Sequence, residues 1–449
     1  MNRGVILTGP SPKMRDSGIE WLGQIPERWE VKRLKLCVQK FESGGTPDSD
    51  NPDYWTEEET GIPWVAIGDM TRSFRVHSTT KRLTETGVRS KRLPILRAGT
   101  LLYSMYASLG KVAILDVDAV VNQAILGLVT RDNVVSRDYL RWWLEFMQGH
   151  VQMLSSSNTQ DNLNADKVRQ MPIFVPPTEG QRAIAARLDR ETARIDALIE
   201  KKQRQIDLLQ ERRAALISNA VTKGISQKVK MRDSGIEWLG PVPEHWEVKR
   251  LKFITPHVTV GIVVTPSKFY IDEGVPCLRS LNVREGRLTD TDLVFISPES
   301  NELHAKSMLK AGDVVAVRSG QPGTTAVVDK RYDGANCIDL IIIRQSSVFD
   351  SIYLSYAMGS HYIQSQFGAG SGGAIQQHFN IETASSLLIA LPPLSEQVAI
   401  REYLDAEAGR LAALHYKVQT SIAQLQEYRS TLISAAVTGK IDIRQEIPA

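Results

Sequence analysis

Two carboxylates followed by a lysine occur twice in the sequence at the same spacing. Side chains of these types can catalyse the hydrolysis of phosphodiesters. In such sets the carboxylates hold Mg²⁺, and the ion activates a water molecule. The two sets are Asp16, Glu30, Lys32 and Asp233, Glu247, Lys249. Each lies in a segment that also carries two tryptophans, which is typical of packing anchors with surface charges around them. A self-sufficient Mg²⁺-dependent endonuclease is therefore kept as an alternative function.

Motifs for other kinds of catalysis are missing from the sequence. The eight histidines follow no HxxxH or HExxH spacing, so no metal site is predicted. Gly110-Lys111 is followed by Val112 and lacks the upstream glycine of a phosphate-binding loop. The segment Asn51–Tyr54 has Asp where amino-methyltransferases have a second proline, and no glycine-rich cofactor loop accompanies it. We therefore expect a chain that is not an enzyme and binds no cofactor itself.

A stretch of 26 residues, called the basic strip below, carries a local excess of positive charge. It covers residues 72–97 and holds eight basic residues and one acid, whereas residues 48–59 hold six acids and no base. Such patches neutralise phosphates, so the strip predicts a nucleic-acid surface, with an ordinary solvated face as the alternative. The candidates are Arg72, Arg75, Lys81, Arg82, Lys91 and Arg92, with a weaker set at Arg279, Arg284, Arg287 and Arg318.

Several polar loops carry side chains that can read DNA bases. Arg, Asn and Gln can form two hydrogen bonds to the edge of a guanine or an adenine. In the first half of the chain the candidates are Gly44, Gly45, Thr46, Ser104, Tyr106, Lys111, Asn122, Gln123 and Gln160. In the second half they are Ser319, Gln321, Gln376, Gln377 and His378. Together with the basic residues, these loops predict two surfaces that read DNA.

The segments that must position these residues are written twice. Residues 14–35 and 231–252 differ at three of 22 positions. Residues 175–189 resemble 391–405, and 211–225 resemble 427–441, both at an offset of 216. The chain is therefore a tandem duplication, and each repeat begins and ends with a near-identical segment.

Between these repeated segments lie two modules that share little sequence. Module 1 covers residues 36–174 and module 2 covers 253–390. Both mix short strand-like runs with turns and a few helices, which predicts an α+β fold. Weak similarities between 61–70 and 274–283, and between 97–115 and 310–328, predict one fold with different loops.

Each module is followed by a long helix with a narrow apolar seam. Residues 179–220 contain no proline, and their apolar residues recur at steps of three and four with one stutter. Thr178–Gln181 predicts a capping box at the start of the first helix. A helix of about 42 residues is roughly 60 Å long. The seam residues are Ile184, Leu188, Ile195, Leu198, Ile206, Leu209, Leu216, Ile400, Leu404, Leu411, Leu414, Val418, Ile422, Leu425 and Leu432.

Equal seams predict that the two long helices pair with each other, antiparallel so that the modules do not collide, in a pseudo-twofold arrangement. The alternative is that each helix packs on its own module as an ordinary amphipathic helix. The resulting division is two globular recognition domains, 14–178 and 231–393, and two coiled-coil helices, 179–224 and 394–440.

Length and composition agree with a folded protein of several domains. The 449 residues are 42% hydrophobic and 23% charged, with a net charge of only +3. No apolar run approaches the roughly 18 residues of a membrane span. Cys37, Cys277 and Cys337 are too few and too far apart for a disulfide framework, so a reducing cytoplasm is expected.

The repeated segments resemble the specificity subunits of type I restriction–modification enzymes. The resemblance covers nearly the whole chain and rests on an entry motif, an exit motif and a helix end, each present twice. These are Pro26–Leu34 and Pro243–Leu251, Pro176–Gln181 and Pro392–Gln397, and Leu216–Thr222 and Leu432–Thr438. The first exit departs slightly, with Gly180 where the second copy has Glu396.

This resemblance implies a DNA-recognition subunit of a prokaryotic cytoplasmic complex. Each module would be a target-recognition domain that reads one half of a bipartite, asymmetric site in double-stranded DNA. The helices would set the spacing and dock two methyltransferase subunits, and restriction and translocase subunits would join them. S-adenosylmethionine, ATP and Mg²⁺ would be bound by those partners. A coiled-coil adaptor without a DNA role is the other alternative.

Overall fold

The chain forms two compact units. The computed structural model describes residues 13–106, 108–151, 163–226, 228–263, 266–369 and 379–441. Unit 1 comprises Met1–Lys201 and Ser421–Ala449, and unit 2 comprises Lys202–Thr420. Each unit therefore holds one module and part of both long helices. The mixture of short strands and helices in each module confirms the predicted α+β class.

Module 1 is built on two sheets of short strands. The five-stranded sheet has the order Val38–Ser43, Ile125–Thr130, Leu101–Ser104, Val112–Leu115 and Arg75–Val76. The four-stranded sheet has the order Val120–Val121, Ile62–Val65, Lys81–Leu83 and Trp55–Thr56. Two further pairs join Met14–Asp16 to Gln24–Pro26 and Glu30–Arg33 to Pro172–Val175. The short helices are Leu34–Cys37, Ile67–Arg72, Glu85–Ser90, Arg137–Gln148 and Ala165–Gln170, with a 3-10 turn at Pro52–Tyr54.

Module 2 repeats this plan. One four-stranded sheet has the order Val258–Val260, Leu340–Ile343, Val314–Val317 and Thr325–Val327, and the other has Tyr270–Ile271, Val294–Ile296, Val275–Leu278 and Asn336–Cys337. Three pairs join Met231–Asp233 to Pro241–Pro243, Glu247–Arg250 to Leu388–Leu391, and Val283–Arg284 to Arg287–Leu288. Its short helices are Pro298–Leu303, Ser351–Met358, His361–Ala369 and Ile381–Ser386. Its 3-10 turns are Leu251–Phe253, Pro266–Phe269, Ser280–Asn282, Ala305–Ser307 and Lys330–Tyr332.

Strand pairing makes positions in the two modules equivalent. Val120–Val121 runs parallel to Trp64–Val65, and Asn336–Cys337 runs parallel to Cys277–Leu278. Because the modules align at an offset near 213 to 216, residues 122–123 and 338–339 follow these strands at the same place. The loops 105–111 and 318–324 likewise connect equivalent antiparallel strands.

The two long helices run antiparallel to each other within each unit. The first covers Thr178–Lys223 and the second covers Leu394–Val437. In unit 1 the buried hydroxyl of Tyr139 donates to Phe174 O just before the first helix and to Val437 O at the end of the second. In unit 2 Tyr353 makes the same contacts to Ala390 O and Val221 O. In each unit, therefore, one helix starts beside the end of the other.

The predicted seam needs one correction in each helix. Leu198 is 47% exposed and Leu414 is 46% exposed, so neither belongs to the buried face. Their neighbours Ile199 and His415 are half-buried instead. The step from Thr192 to Ile195 is three residues, and a helix of 3.6 residues per turn stays in phase when the next step is four. The seam therefore continues at Ile199 and not at Leu198. The same shift occurs in both copies.

The other seam residues lie at least partly inside. The buried ones are Ile184, Leu188, Ile195, Ile206, Ile400, Leu404, Leu411, Val418 and Leu432. The half-buried ones are Leu209, Leu216, Ile422 and Leu425. The start of the first helix and the end of the second join the core of module 1, which also contains Trp142 and Trp143. Much of the seam is therefore helix-to-module packing as well as helix-to-helix packing.

The near-identical segments 14–35 and 231–252 pack against the C-terminal ends of the long helices. In unit 1 Gly439, with φ of 71°, packs against Pro26 and Trp29, and an added Cβ would lie 2.4 Å from the Pro26 ring. In unit 2 Gly224, with φ of 77°, packs against Trp246. Glycine adopts this left-handed conformation without strain and leaves room for the tryptophan. Across the described residues, no helix combines the length and apolarity that crossing a membrane requires.

Candidate nucleic-acid interface

Three predicted segments of module 1 come together at one end of the sheets. Thr46 Oγ1 lies 2.6 Å from Gln123 Oε1, and Lys91 Nζ donates to Thr46 O at 2.7 Å. The backbone of Gly45 donates to Val121 O at 2.9 Å. Gly44 approaches the same strand so closely that an added Cβ would lie 1.7 Å from Val121 O. Glycine at position 44 is therefore required for this loop to dock.

A fourth segment, the loop 104–111, joins this group. The backbone of Met105 donates to Ala124 O at 2.8 Å, next to Asn122, whose carboxamide oxygen accepts from Ala124 N. Ser104 Oγ accepts from Lys111 N at 3.0 Å and donates to Ser108 O, which closes the loop. Tyr106 is exposed. We call residues 44–46, 91, 104–106, 108–111 and 122–124 the module 1 loop cluster.

The basic strip does not act as one uniform surface, because several of its cations bind within the module. Arg75 pairs with Asp116 at 2.6 Å, and Arg82 donates to Gly61 O at 2.9 Å. Lys81 lies 5.3 Å from the centre of the Trp55 ring. Among the described residues, the exposed side chains of Arg72 and Arg92 form no ion pair. Arg72 and Arg92 are thus the strip candidates most available to phosphates.

In module 2 the loop 318–324 occupies the place that 105–111 has in module 1. It begins with Arg318, whose Nη1 lies 2.5 Å from Asp339 Oδ1 and whose Nε donates to Phe379 O at 3.3 Å. Ser319 is half-buried and Gln321 is exposed in the same loop. Asp339 is the topological equivalent of Gln123. Arg318, Ser319 and Gln321 therefore form a module 2 counterpart to the loop cluster.

The other basic candidates of module 2 belong to segments outside the loop that begins at Arg318. Arg284 and Arg287 are exposed on the hairpin Val283–Leu288, which is tied to the first long helix by Arg213 and Glu285 at 2.6 Å. Arg279 donates to Asp292 O. Arg284 lines one cavity with Gln321, Gly323 and Thr324, so it lies beside the loop that begins at Arg318. In the described part of the chain, Arg279 and Arg287 are not among the residues that line this cavity. The candidates Gln160, Gln376, Gln377 and His378 lie outside the described residues.

The possible nuclease residues have local structural contacts. Asp16 Oδ1 accepts from Gly18 N at 2.9 Å, and Asp233 Oδ1 accepts from Gly235 N at 3.0 Å, so both carboxylates stabilise turns. Glu30 pairs with Lys32, whose hydrogen bond and charge lower the pKa of Glu30. In the part of the chain that the structure describes, no three His, Cys, Asp or Glu residues group as a metal site.

Sequence reasoning missed how each module is joined to the long helices. Gln181 does not complete a capping box. Its buried carboxamide accepts from Ser136 N at 2.7 Å and donates to Val134 O and Pro176 O. Its equivalent, Gln397, makes the same three kinds of contact in unit 2. The signal in the sequence was that both repeats have glutamine at this position, Gln181 and Gln397.

Comparison with known proteins finds similarity to one family. The family described as type I restriction modification DNA specificity domain matches residues 26–208. The MjaIX type I restriction enzyme specificity subunit of Methanocaldococcus jannaschii is 23% identical over 435 residues, which cover 94% of this chain and 96% of that protein. The EcoKI specificity subunit of Escherichia coli is 23% identical over 214 residues, 45% of this chain and 44% of that protein.

Solved structures show the same fold. A chain from a structure concerned with complex assembly and conformational transition of the type I R-M system has a TM-score of 0.71 at 18% identity, and the match covers 92% of this chain and 98% of that one. The HsdS subunit from Thermoanaerobacter tengcongensis has a TM-score of 0.52 at 17% identity, with 93% and 98% covered. At these identities the likeness concerns the fold.

Proposed function

We propose that the chain is a DNA specificity subunit of the type I restriction–modification family, and that each of its modules reads one half of a bipartite target in double-stranded DNA. The observation that carries this proposal is that the two modules share one topology but have different side chains in their equivalent loops. After the equivalent strands Val120–Val121 and Asn336–Cys337, module 1 has Gln123, whose carboxamide accepts from Thr46, whereas module 2 has Asp339, whose carboxylate binds Arg318. Different side chains at equivalent positions read different sequences, so the target is asymmetric.

The repeated frame supports a complex in which one kind of partner binds twice. Two methyltransferase subunits would dock on the two copies of the frame, and restriction and translocase subunits would join that assembly in the prokaryotic cytoplasm. S-adenosylmethionine, Mg²⁺ and ATP would be bound by those partners, and this chain would supply recognition without catalysis. Each long helix contributes residues to both units, so the helices would set the spacing between the half-sites.

Mapping methylated bases tests the proposal directly. The chain is co-expressed with its methyltransferase partner, and modified positions are mapped across the host genome. We expect a bipartite motif with an unread spacer. Replacing residues 36–174 with the corresponding module of another specificity subunit should change one half of the motif and leave the other half and the spacer unchanged. A single continuous motif, or a change in both halves, would contradict the two-module proposal.

Phosphate contact is tested on the assembled complex with charge-reversed variants. Arg72→Glu with Arg92→Glu should weaken binding to all DNA sequences alike and reduce the slope of log affinity against log salt by about one per lost contact. Arg190→Glu, an exposed change on the first long helix, is the matched control. An unchanged salt slope in the double variant would place phosphate contact elsewhere on module 1.

A further inference from the structure

Arg318 and Asp339 form an ion pair that leaves half of the guanidinium unused. Nε donates to Phe379 O and one Nη1 hydrogen goes to Asp339. Among the described residues, Nη2 and the second Nη1 hydrogen have no partner. Only 22% of the Arg318 side chain is exposed, so the outer edge of the guanidinium is held in place by its surroundings.

A second buried pair in the same module shows what a purely structural arginine looks like. Arg344 also lies 2.5 Å from an aspartate, Asp313, which is almost fully buried. Unlike Arg318, whose Nη2 makes no hydrogen bond to the described residues, it donates from Nη1 to Met308 O as well as to Asp313, and from Nη2 to Lys306 O. The contrast identifies Arg318 as an arginine that is oriented on one side and available on the other.

Asp339 has an unusual backbone that supports this orienting role. Its φ is 53°, a left-handed conformation that few residues other than glycine adopt. Ile338 separates it from the strand Asn336–Cys337, and its carboxylate binds Arg318 at the start of the loop 318–324. Backbone strain of this kind persists where the surrounding structure requires it, commonly at ligand sites.

The charge of the pair determines which part of DNA it suits. Because Asp339 compensates the positive charge of Arg318, the pair gains little from a phosphate. Two parallel N–H donors on a fixed plane match the O6 and N7 acceptors of guanine in the major groove, whereas adenine presents an N6 donor at the position of O6. From this geometry we infer that Arg318, positioned by Asp339, reads a guanine in the half-site of module 2. This inference rests on the proposed function.

The test uses the methyltransferase complex and its mapped motif. Binding is measured to the wild-type site and to sites in which each G·C pair of the module 2 half is replaced by A·T. The unaltered complex should prefer guanine at one position by roughly 10- to 100-fold, as expected for a bidentate arginine. Arg318→Ala and Arg318→Met, which both lack N–H donors, should reduce the preference at that position to less than about threefold and leave the other positions unchanged.

Two further variants separate reading from folding. Asp339→Asn keeps the loop but removes the compensating charge, so it should lower the same preference while raising affinity for unrelated DNA. Arg331→Ala breaks an exposed pair with Asp329 in the same module and should leave the motif intact. If Arg318→Ala does not fold, Arg318→Met, which keeps a long side chain without donors, decides the matter.

Two results would overturn the inference. One is full guanine preference at every position in Arg318→Met. The other is an Arg318 variant that loses affinity equally for every substituted site. That result is expected if Arg318 only stabilises the fold of the module. Failure of the proposed function gives a different result, since the unaltered complex would then show no bipartite motif at all.

Discussion

Asp189 in unit 1 and Asp405 in unit 2 hold the same position of the repeat but bind different side chains of their modules. Asp189 accepts a hydrogen bond from Trp142 Nε1 at 3.0 Å and pairs with Arg141. Asp405 accepts from the hydroxyl of Tyr356 at 2.7 Å. The aspartate on the long helix is therefore the same in both units, but the side chain of the module that binds it is different.

The same holds for an arginine on the opposite helix. Arg429 in unit 1 binds Glu145 at 2.7 Å and Asp196 at 2.9 Å. Burial alone would lower the pKa of Arg429, but these two carboxylates hold it above its usual value. Its equivalent, Arg213, binds Glu285 on the hairpin of module 2. The partner in unit 2 comes from a different element, so this contact was rebuilt as the modules diverged.

The buried joints, in contrast, are the same in both units. Among the described residues, the hydroxyls of Tyr139 and Tyr353 bind only backbone carbonyls, and the carboxamides of Gln181 and Gln397 bind only backbone groups. A backbone acceptor stays in place when the side chains of a module change. The comparison teaches that a joint made to the backbone tolerates replacement of the module, whereas a joint made to side chains must be remade each time.

The largest effect is expected at the shared glutamines. Gln181→Ala and Gln397→Ala each leave buried backbone groups without a partner, so each should lower the free energy of unfolding by roughly 2–4 kcal/mol. Urea titration measures the loss, and Gln203→Ala, exposed on the same helix as Gln181, is the control. Costs that differ by more than about 2 kcal/mol between the two positions would break the claimed equivalence of the joints.

A somewhat smaller effect is expected from the joint that only unit 1 has. Arg141 is buried, lies 3.8 Å from the centre of the Trp142 ring and pairs with Asp189. Arg141→Met should cost about 1–3 kcal/mol of unfolding free energy, moderated because Asp189 is half exposed. Arg190→Met, an exposed change on the first long helix, should cost almost nothing. A neutral Arg141→Met would show that packing alone holds module 1.

The two equivalent arginines offer a direct test of the divergent joint. Arg429→Ala should cost about 1–2 kcal/mol, because its partner Glu145 is largely buried. Arg213→Ala should cost less than about 1 kcal/mol, because Glu285 is exposed and screened by solvent. Thermal unfolding of both variants at low and high salt checks the order. A larger loss for Arg213→Ala would reverse our ranking of the two units.

The smallest effect uses the thiols as probes and changes no residue. Burial raises the pKa of Cys37 in unit 1 to about 11 and that of Cys277 in unit 2 to about 12. At pH 8 the thiolate fraction of Cys37 is then about a hundredfold lower than in the unfolded chain. We expect negligible reaction with a disulfide reagent in native protein and reaction of three thiols in urea.

The order in which these thiols react along a urea titration reports which unit opens first. Because the folded pKa of Cys37 lies above its unfolded value, the stability linked to that proton is full below about pH 9 and declines between pH 9 and about 11. Simultaneous reaction of Cys37 and Cys277 at every urea concentration would mean that the two units unfold together.

The frame was readable from the sequence because periodicity and repetition are local signals. The spacing of Ile184, Leu188 and Ile195 is enough to predict a helix with an apolar seam. The same spacing cannot decide between Leu198 and Ile199 at the stutter, since both are apolar and the phase depends on what packs there. Gln181 fits a capping box locally, but its side chain is used by a loop 45 residues earlier.

The candidate interface was only partly readable, because its residues meet through sheet pairing. Thr46 and Gln123 are far apart in sequence and become neighbours only when their strands and loops assemble. Arg318 and Asp339 are joined in the same way across the module 2 sheets. Composition suggested all of these residues, but it also suggested Arg279 and Arg287, which the fold places elsewhere. Residue type selects candidates, and topology selects among them.

The division of unit 1 into two distant stretches of chain has a consequence for synthesis on the ribosome. Its module is made first, yet Leu432, Ile433, Ala436 and Val437 belong to its hydrophobic core. The intervening residues 202–420 take roughly 10–45 s to translate at typical rates. During that time unit 1 exposes the apolar face that later packs against the last turns of the second long helix. A nonsense mutation after Thr420 would therefore damage the half of the protein that was translated earliest.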